Sequence, residues 1–197
     1  MAAFGLVVAL IGAACWFRQG AHLIDVEPPG AAAVVTGSEL ATSPPTARIA
    51  SWRAGAPRSI HIGRLGVRSP VQPIHAVGGT LVPPGDPTVL GWWADGARPG
   101  DPRGSVLVTG HTVSTGGAAL DRLETLRRGD TVMVRTHRDT LEYAVRRVAI
   151  IDKGLVAQQA ERLFNQVVPG RLVLITCGDW DGSRHRSNVV VTARPNG

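Results

Sequence analysis

Apolar residues follow three different patterns along the chain. From Ala2 to Phe17 no charged residue occurs, and Arg18 halts the run. From Gly20 to about Pro57 hydrophobic periodicity is weak, and Ala, Pro, Gly, Ser and Thr dominate, with Pro28-Pro29 and Pro44-Pro45 as breaks. From Ser59 onward short apolar strings alternate with turn-forming residues. The strings are Ile60-His61-Ile62, Leu65-Gly66-Val67, Val71 to Ile74, Thr88 to Trp93, Ser105 to Thr109, Thr131 to Arg135, Leu141 to Ile151, Leu172 to Thr176 and Asn188 to Thr192. Short β-rich strings punctuated by Gly and Pro predict an all-β barrel or sandwich. Leucines at three-residue spacing within Ala119 to Leu126 predict one short helix, and Gln158 to Asn165 predicts another helical turn.

These regimes divide the chain. As a helix the first run would reach about 24 Å, a little short of a hydrocarbon core of about 30 Å. The expectation is a hydrophobic membrane anchor over residues 1–19, with a cleaved signal segment as the second reading. Gly12-Ala13-Ala14-Cys15 leaves lipid attachment as a third, although Gly12 stands where a larger aliphatic residue is usual. No Lys or Arg precedes the run and no clean Ala-x-Ala site follows it, which favours an uncleaved anchor. Residues 20–57 then form a flexible extracytoplasmic linker, and residues 58–197 one folded domain. In all three readings the remainder of the chain is exported, and the expected location is the cell membrane, single-pass.

Charge narrows the partners. The formal charge is +6, from 21 basic and 15 acidic residues, and every basic residue except Lys153 is arginine. The arginines are scattered and aromatics are 5% of the chain, so the interleaved rings and cations of a nucleic-acid groove are missing. No nucleic acid is expected as a partner. An anionic cell envelope suits the charge.

Candidate chemistry lies at the ends of two apolar strings. Val173-Leu174-Ile175-Thr176-Cys177-Gly178 places one of two cysteines at a predicted strand end, and Arg186 follows nine residues later. Val106-Leu107-Val108-Thr109-Gly110-His111 ends a second string in a histidine. A thiol, a base and a cation suit acyl transfer, because a thiolate attacks a carbonyl and a guanidinium steadies the oxyanion. Cysteine with an ordinary pKa of about 8.5 is mostly thiol at neutral pH, so neighbouring cations would enlarge the reactive fraction. A buried structural thiol is the bland alternative for Cys177. His61, His75 and His137 read as surface or structural histidines. Arg184 and His185 stand beside Arg186 as competitors, and a zinc site from Cys177, His111 and His185 lacks the usual paired spacing. No metal and no cofactor are expected.

In order, Arg58-Ser59-Ile60-His61-Ile62, Leu65-Gly66-Val67, Leu81-Val82-Pro83-Pro84, Gly91-Trp92-Trp93, Val108-Thr109-Gly110-His111, Leu123 to Asp130, Leu174-Ile175-Thr176-Cys177 and Arg186 to Val191 resemble the sortases. These are membrane-anchored cysteine transpeptidases of Gram-positive bacteria, and the chain looks most like the class F enzymes of actinobacteria. The resemblance spans roughly residues 57 to 194. It implies an eight-stranded sortase-type β-barrel with short helices and a His-Cys-Arg site: Cys177 as nucleophile, His111 as general acid/base, Arg186 as substrate and oxyanion partner. It also implies cleavage of a Leu-Pro-x-Thr-Gly-like sorting signal between Thr and Gly. The acyl group would pass from a thioacyl enzyme to an amine of a peptidoglycan precursor or a protein.

Thr176, the Gly178 N–H and Trp180 are further substrate or oxyanion candidates. The segments Asp152 to Gly170 and Gly178 to His185 are expected to shape the peptide groove. The chain departs from the class F pattern where His111-Thr112-Val113-Ser114 lacks the usual acidic neighbour, where Ser187 follows the arginine, and where Val173 opens the cysteine motif. A catalytically degenerate peptide-binding module and a purely hydrolytic exported cysteine peptidase are the other functional readings.

Overall fold

The computed structural model of the chain describes residues 8–9, 53–77 and 79–196. The expected anchor over 1–19 and linker over 20–57 therefore lie almost wholly outside the described residues. Of the anchor only Val8–Ala9 (β1) is described, paired antiparallel with Thr80–Leu81 (β4). Among the described residues no helix is long and apolar enough to cross a membrane.

Residues 57–195 form a closed eight-stranded barrel. Its strands are β2 (Pro57–Ile62), β3 (Val67–Ile74), β5 (Leu90–Trp93), β6 (Ser105–Thr109), β7 (Thr131–Thr136), β8 (Thr140–Asp152), β9 (Arg171–Trp180) and β10 (His185–Pro195). The order around the barrel is β10-β8-β7-β2-β3-β5-β6-β9. Closure removes exposed sheet edges. Most neighbours are antiparallel, but β3 with β5 and β6 with β9 are parallel.

The apolar strings produce two packed layers. Alternate residues of the central strands, such as Val106, Val108, Leu172, Leu174, Val189 and Val191, fill the barrel interior. The opposite faces of the same strands, with Leu107, Val173, Ile175 and Val190, pack outside against Val156 and Leu163 of α1 (Lys153–Leu163). Strands covered on both faces read as continuous rather than alternating apolar runs, which is why residues 172–177 are all buried.

Several expected boundaries move. The 119–126 helix reduces to a single 3-10 turn at Leu123–Thr125, yet Leu120, Leu123 and Leu126 are buried. The expected turn at 158–165 is the second half of α1, which begins at Lys153. Strand β9 continues past Thr176 to Trp180, and β10 begins at His185. The expected eight-residue loop is thus a tight hairpin whose connection is Asp181–Arg184. Asp181 holds that connection, accepting hydrogen bonds on Oδ1 from the N–H groups of Ser183 and Arg184, each at 2.9 Å.

Candidate active site

Strand register brings the candidate residues to one end of the outer face. In the parallel β6–β9 pair Leu107 lies beside Val173 and Thr109 beside Ile175. The pairing continues as the Gly110 N–H donates to the Ile175 carbonyl at 3.1 Å. Cys177 stands two residues further along β9, on the face that carries Val173 and Ile175, and His111 follows two residues past the end of β6. In the antiparallel β9–β10 pair Asn188 lies opposite Cys177 and Ser187 opposite Gly178. Arg186, two residues from Asn188, is on the same face and one row nearer the hairpin tip.

Cys177 lies within β9, three residues before its end, and is 2% exposed. This corrects the expectation that Cys177 stands at a strand end, where its thiol would be accessible. The strand stays paired beyond the cysteine because β10 follows it to the hairpin. Burial pushes the Cys177 thiol up from its ordinary pKa, opposed by the charge of Lys153 and by a hydrogen bond from it. At rest the thiol form is favoured.

His111 is half-buried, and its Nε2–H donates to the Pro84 carbonyl at 2.8 Å. Because a carbonyl only accepts, the proton of the neutral ring sits on Nε2 and the Nδ1 lone pair is left available. Pro84 belongs to the connection between β4 and β5. It is wedged there by Gly91, where an added Cβ would lie 3.0 Å from Pro84 Cδ and 2.7 Å from Ile74 Cδ1. The loop after His111 is tied down by Asp121, whose carboxylate accepts from the N–H groups of Val113 and Ala118, both at 2.7 Å. The sequence offered Pro84 only as part of the Leu81 to Pro84 motif, and it did not single out Asp121. Asp121 serves the histidine loop from ten residues away, where the expected acidic neighbour is missing.

Arg186 is exposed and its Nε–H donates to Asp181 Oδ2 at 2.6 Å. The pair holds the guanidinium firmly protonated, and Arg186 foremost, then the Arg184 and Ser183 hydrogen bonds, holds the Asp181 carboxyl well below the usual carboxylate range. Arg184 lies further from the same carboxylate, at 3.9 Å.

The remaining candidates divide by face. Thr176 alternates with Cys177 and points the other way. Its buried hydroxyl lies 3.0 Å from the Gly110 carbonyl and 2.6 Å from the Thr112 hydroxyl, which itself donates to the Cys177 carbonyl at 2.8 Å. These bonds clamp the two strands that carry His111 and Cys177. Gly178 is required by close packing, since a Cβ there would meet Ser187 Oγ at 2.8 Å and Val189 Cγ2 at 3.0 Å. Trp180 is 48% exposed and packs its ring on His185, centroids 5.0 Å apart. Among the described residues no cluster of three or more His, Cys, Asp or Glu could hold a metal ion.

Comparison with known proteins agrees with this architecture. The family model described as the sortase domain matches residues 60–196. Sortase C-1 of Actinomyces oris superimposes with a TM-score of 0.55 at 22% identity, covering 71% of each chain. A lid mutant of sortase A from Corynebacterium diphtheriae gives 0.55 at 18% identity, covering 74% of this chain and 73% of that one. A sortase D5 transpeptidase of Clostridium perfringens gives 0.55 at 17%, covering 72% and 79%. No curated protein matches at a significant level.

Proposed function

The chain belongs to the sortase family, and from that premise we propose that it is a cysteine transpeptidase of the class F type. Its substrate is a Leu-Pro-x-Thr-Gly-like signal on secreted proteins, and it works at the outer side of the membrane to which its N-terminal segment tethers it. The carrying observation is the parallel β6–β9 pairing, which runs to Thr109 beside Ile175, two residues short of His111 and Cys177, while Arg186 lies two residues from Asn188, the partner of Cys177 in β10.

His111 Nδ1 takes the thiol proton, and Cys177 Sγ attacks the Thr–Gly carbonyl carbon. Arg186 leaves Asp181 and steadies the resulting oxyanion. Collapse breaks the C–N bond, and the imidazolium returns its proton to the departing glycine amine. An incoming amine, from a peptidoglycan precursor or a protein, then attacks the thioester and gives a proton to His111. The C–S bond breaks and the thiol is restored.

The test is mass spectrometry of Cys177 after incubation with a library of sorting peptides, followed by addition of amines. A thioacyl adduct resolved to amide supports the proposal, and Cys177→Ala should abolish both products. Peptide binding without any adduct would mark a degenerate binding module. Product formed only by hydrolysis would mark a peptidase.

A further inference from the structure

Lys153 is the single lysine among 21 basic residues, and three features of the fold bring it to the thiol. In the β8–β10 register Ile151 lies opposite Asn188, which lies opposite Cys177, so the three share one row across the outer face. Chain direction then starts α1 at this same end, with Lys153 as its first residue. Within α1, Lys153 precedes Val156 by three residues and so shares its face. Val156 packs in the outer layer with Ile175, and Cys177 is the next residue on that side of β9. One step back along the helix and one step forward along the strand therefore converge on the thiol, and the Lys153 charge there opposes the effect of burial on Cys177.

The helix end makes the placement of a cation informative. Acidic side chains are favoured in a first helical turn and cations disfavoured there, because backbone N–H groups concentrate positive potential. The first turn of α1 has no acidic residue, and Asp152 makes no capping bond through its side chain. Lys153 and the N–H groups of the first turn together favour an anion. The outer face supplies a thiol that becomes one. The other ionisable groups brought to this end are Asp152 at the end of β8, His111 just past β6, Asp179 and Asp181 from β9 and its hairpin, and His185 and Arg186 from β10. Arg186 is engaged by Asp181.

We propose that Lys153 is a further catalytic residue, the cation that holds the Cys177 thiolate while Arg186 remains on Asp181. The role divides the electrostatic work: Lys153 serves the nucleophile before attack, and Arg186 serves the carbonyl oxygen during it. The proposal rests on Cys177 being the nucleophile of the transpeptidase reading above.

The test measures iodoacetamide alkylation of Cys177 against pH in the full chain, resolved from Cys15 by peptide mass. Lys153→Met should slow alkylation near pH 7.5 by about 3- to 10-fold, since a neighbouring opposite charge shifts a thiol by up to an order of magnitude or more. The two profiles should converge at high pH, and Lys153→Arg should restore the rate to within about 2-fold, the charge being kept. A Lys153→Met profile that superimposes on the wild type overturns the proposal. If that variant does not fold, acetylating the single ε-amine of folded wild-type protein removes the same charge and must produce the same slowing. Alkylation requires no peptide, so the outcomes separate. A normal Lys153 effect without any thioacyl adduct would sink the transpeptidase reading alone, and an adduct with no Lys153 effect would sink this inference alone.

Discussion

Arg186 donates its Nε–H to Asp181 Oδ2 at 2.6 Å across the tip of the β9–β10 hairpin. The bond draws the guanidinium toward the tip, one row away from the thiol it is proposed to assist. Substrate entry must therefore compete with a carboxylate for this cation. The side chain of Arg186 is 64% exposed, so the competition is mild, as solvent-facing ion pairs are worth little.

Asp181→Asn should raise kcat/KM for a Leu-Pro-x-Thr-Gly peptide by about 2- to 5-fold, the range expected for releasing an exposed pair. Asparagine retains an acceptor for the Ser183 and Arg184 N–H groups, so the hairpin should keep its shape. A fall in kcat/KM, with an unchanged circular dichroism spectrum, would show that the carboxylate aims Arg186 rather than detaining it.

Asp121→Ala removes the acceptor of two short backbone hydrogen bonds in the loop after His111. Bonds to a charged group contribute about 1.5–3 kcal/mol each, so thermal unfolding should move down by several degrees. Peptide turnover should fall by about 10-fold, as misplacing a catalytic group is costly. Alkylation of Cys177 should be nearly unchanged, because the thiol stands on another strand.

Gly178→Ala places a methyl 2.8 Å from Ser187 Oγ in the fully paired region beside Cys177. Overpacking of this kind costs about 1–3 kcal/mol. Denaturant titration should show the loss, and turnover should fall with it because β9 and β10 cannot separate without moving Cys177 from Asn188.

The pH dependence follows from burial of the thiol. Burial raises the Cys177 pKa in the folded state, so alkylation should keep climbing with pH beyond the range of an ordinary cysteine. The linked stability has a definite sign. It is fully present below the unfolded thiol pKa of about 8.5 and is lost as pH rises through the higher folded value. Comparing wild type with Cys177→Ala by thermal denaturation between neutral and alkaline pH should show the difference between them narrowing at the alkaline end.

The strands were readable in the sequence wherever their apolar strings were long. Ser105 to Thr109 coincides with β6, and Leu141 to Ile151 falls one residue short of β8 at each end. The strand β9 was harder, because Gly178 and the polar residues after it resemble a terminus. Its extension depends on partners in β10, which local composition does not encode. The helix at 119–126 failed for a similar reason: leucines at three-residue spacing describe an apolar face, and consecutive turns against the barrel can bury the same face.

At the site, residue identity was more legible than residue relationship. Cys177, His111 and Arg186 stood out as chemistry. That Asp181 engages the arginine depends on how the β9–β10 hairpin closes, while the proline carbonyl on the histidine ring and the start of α1 beside the Cys177 row depend on contacts between distant segments. The lysine left one trace, its solitude among arginines.

The parallel β6–β9 seam joins segments 66 residues apart in the chain, Leu107 with Val173. Such pairing forms only after the intervening strands have found their places, since distant contacts wait on loop closure. The paired stretches of β6 and β9, from which His111 and Cys177 follow, are therefore brought together only in a finished barrel. A chain still folding carries the thiol apart from the histidine proposed as its base, and so stays chemically quiet until the barrel is complete.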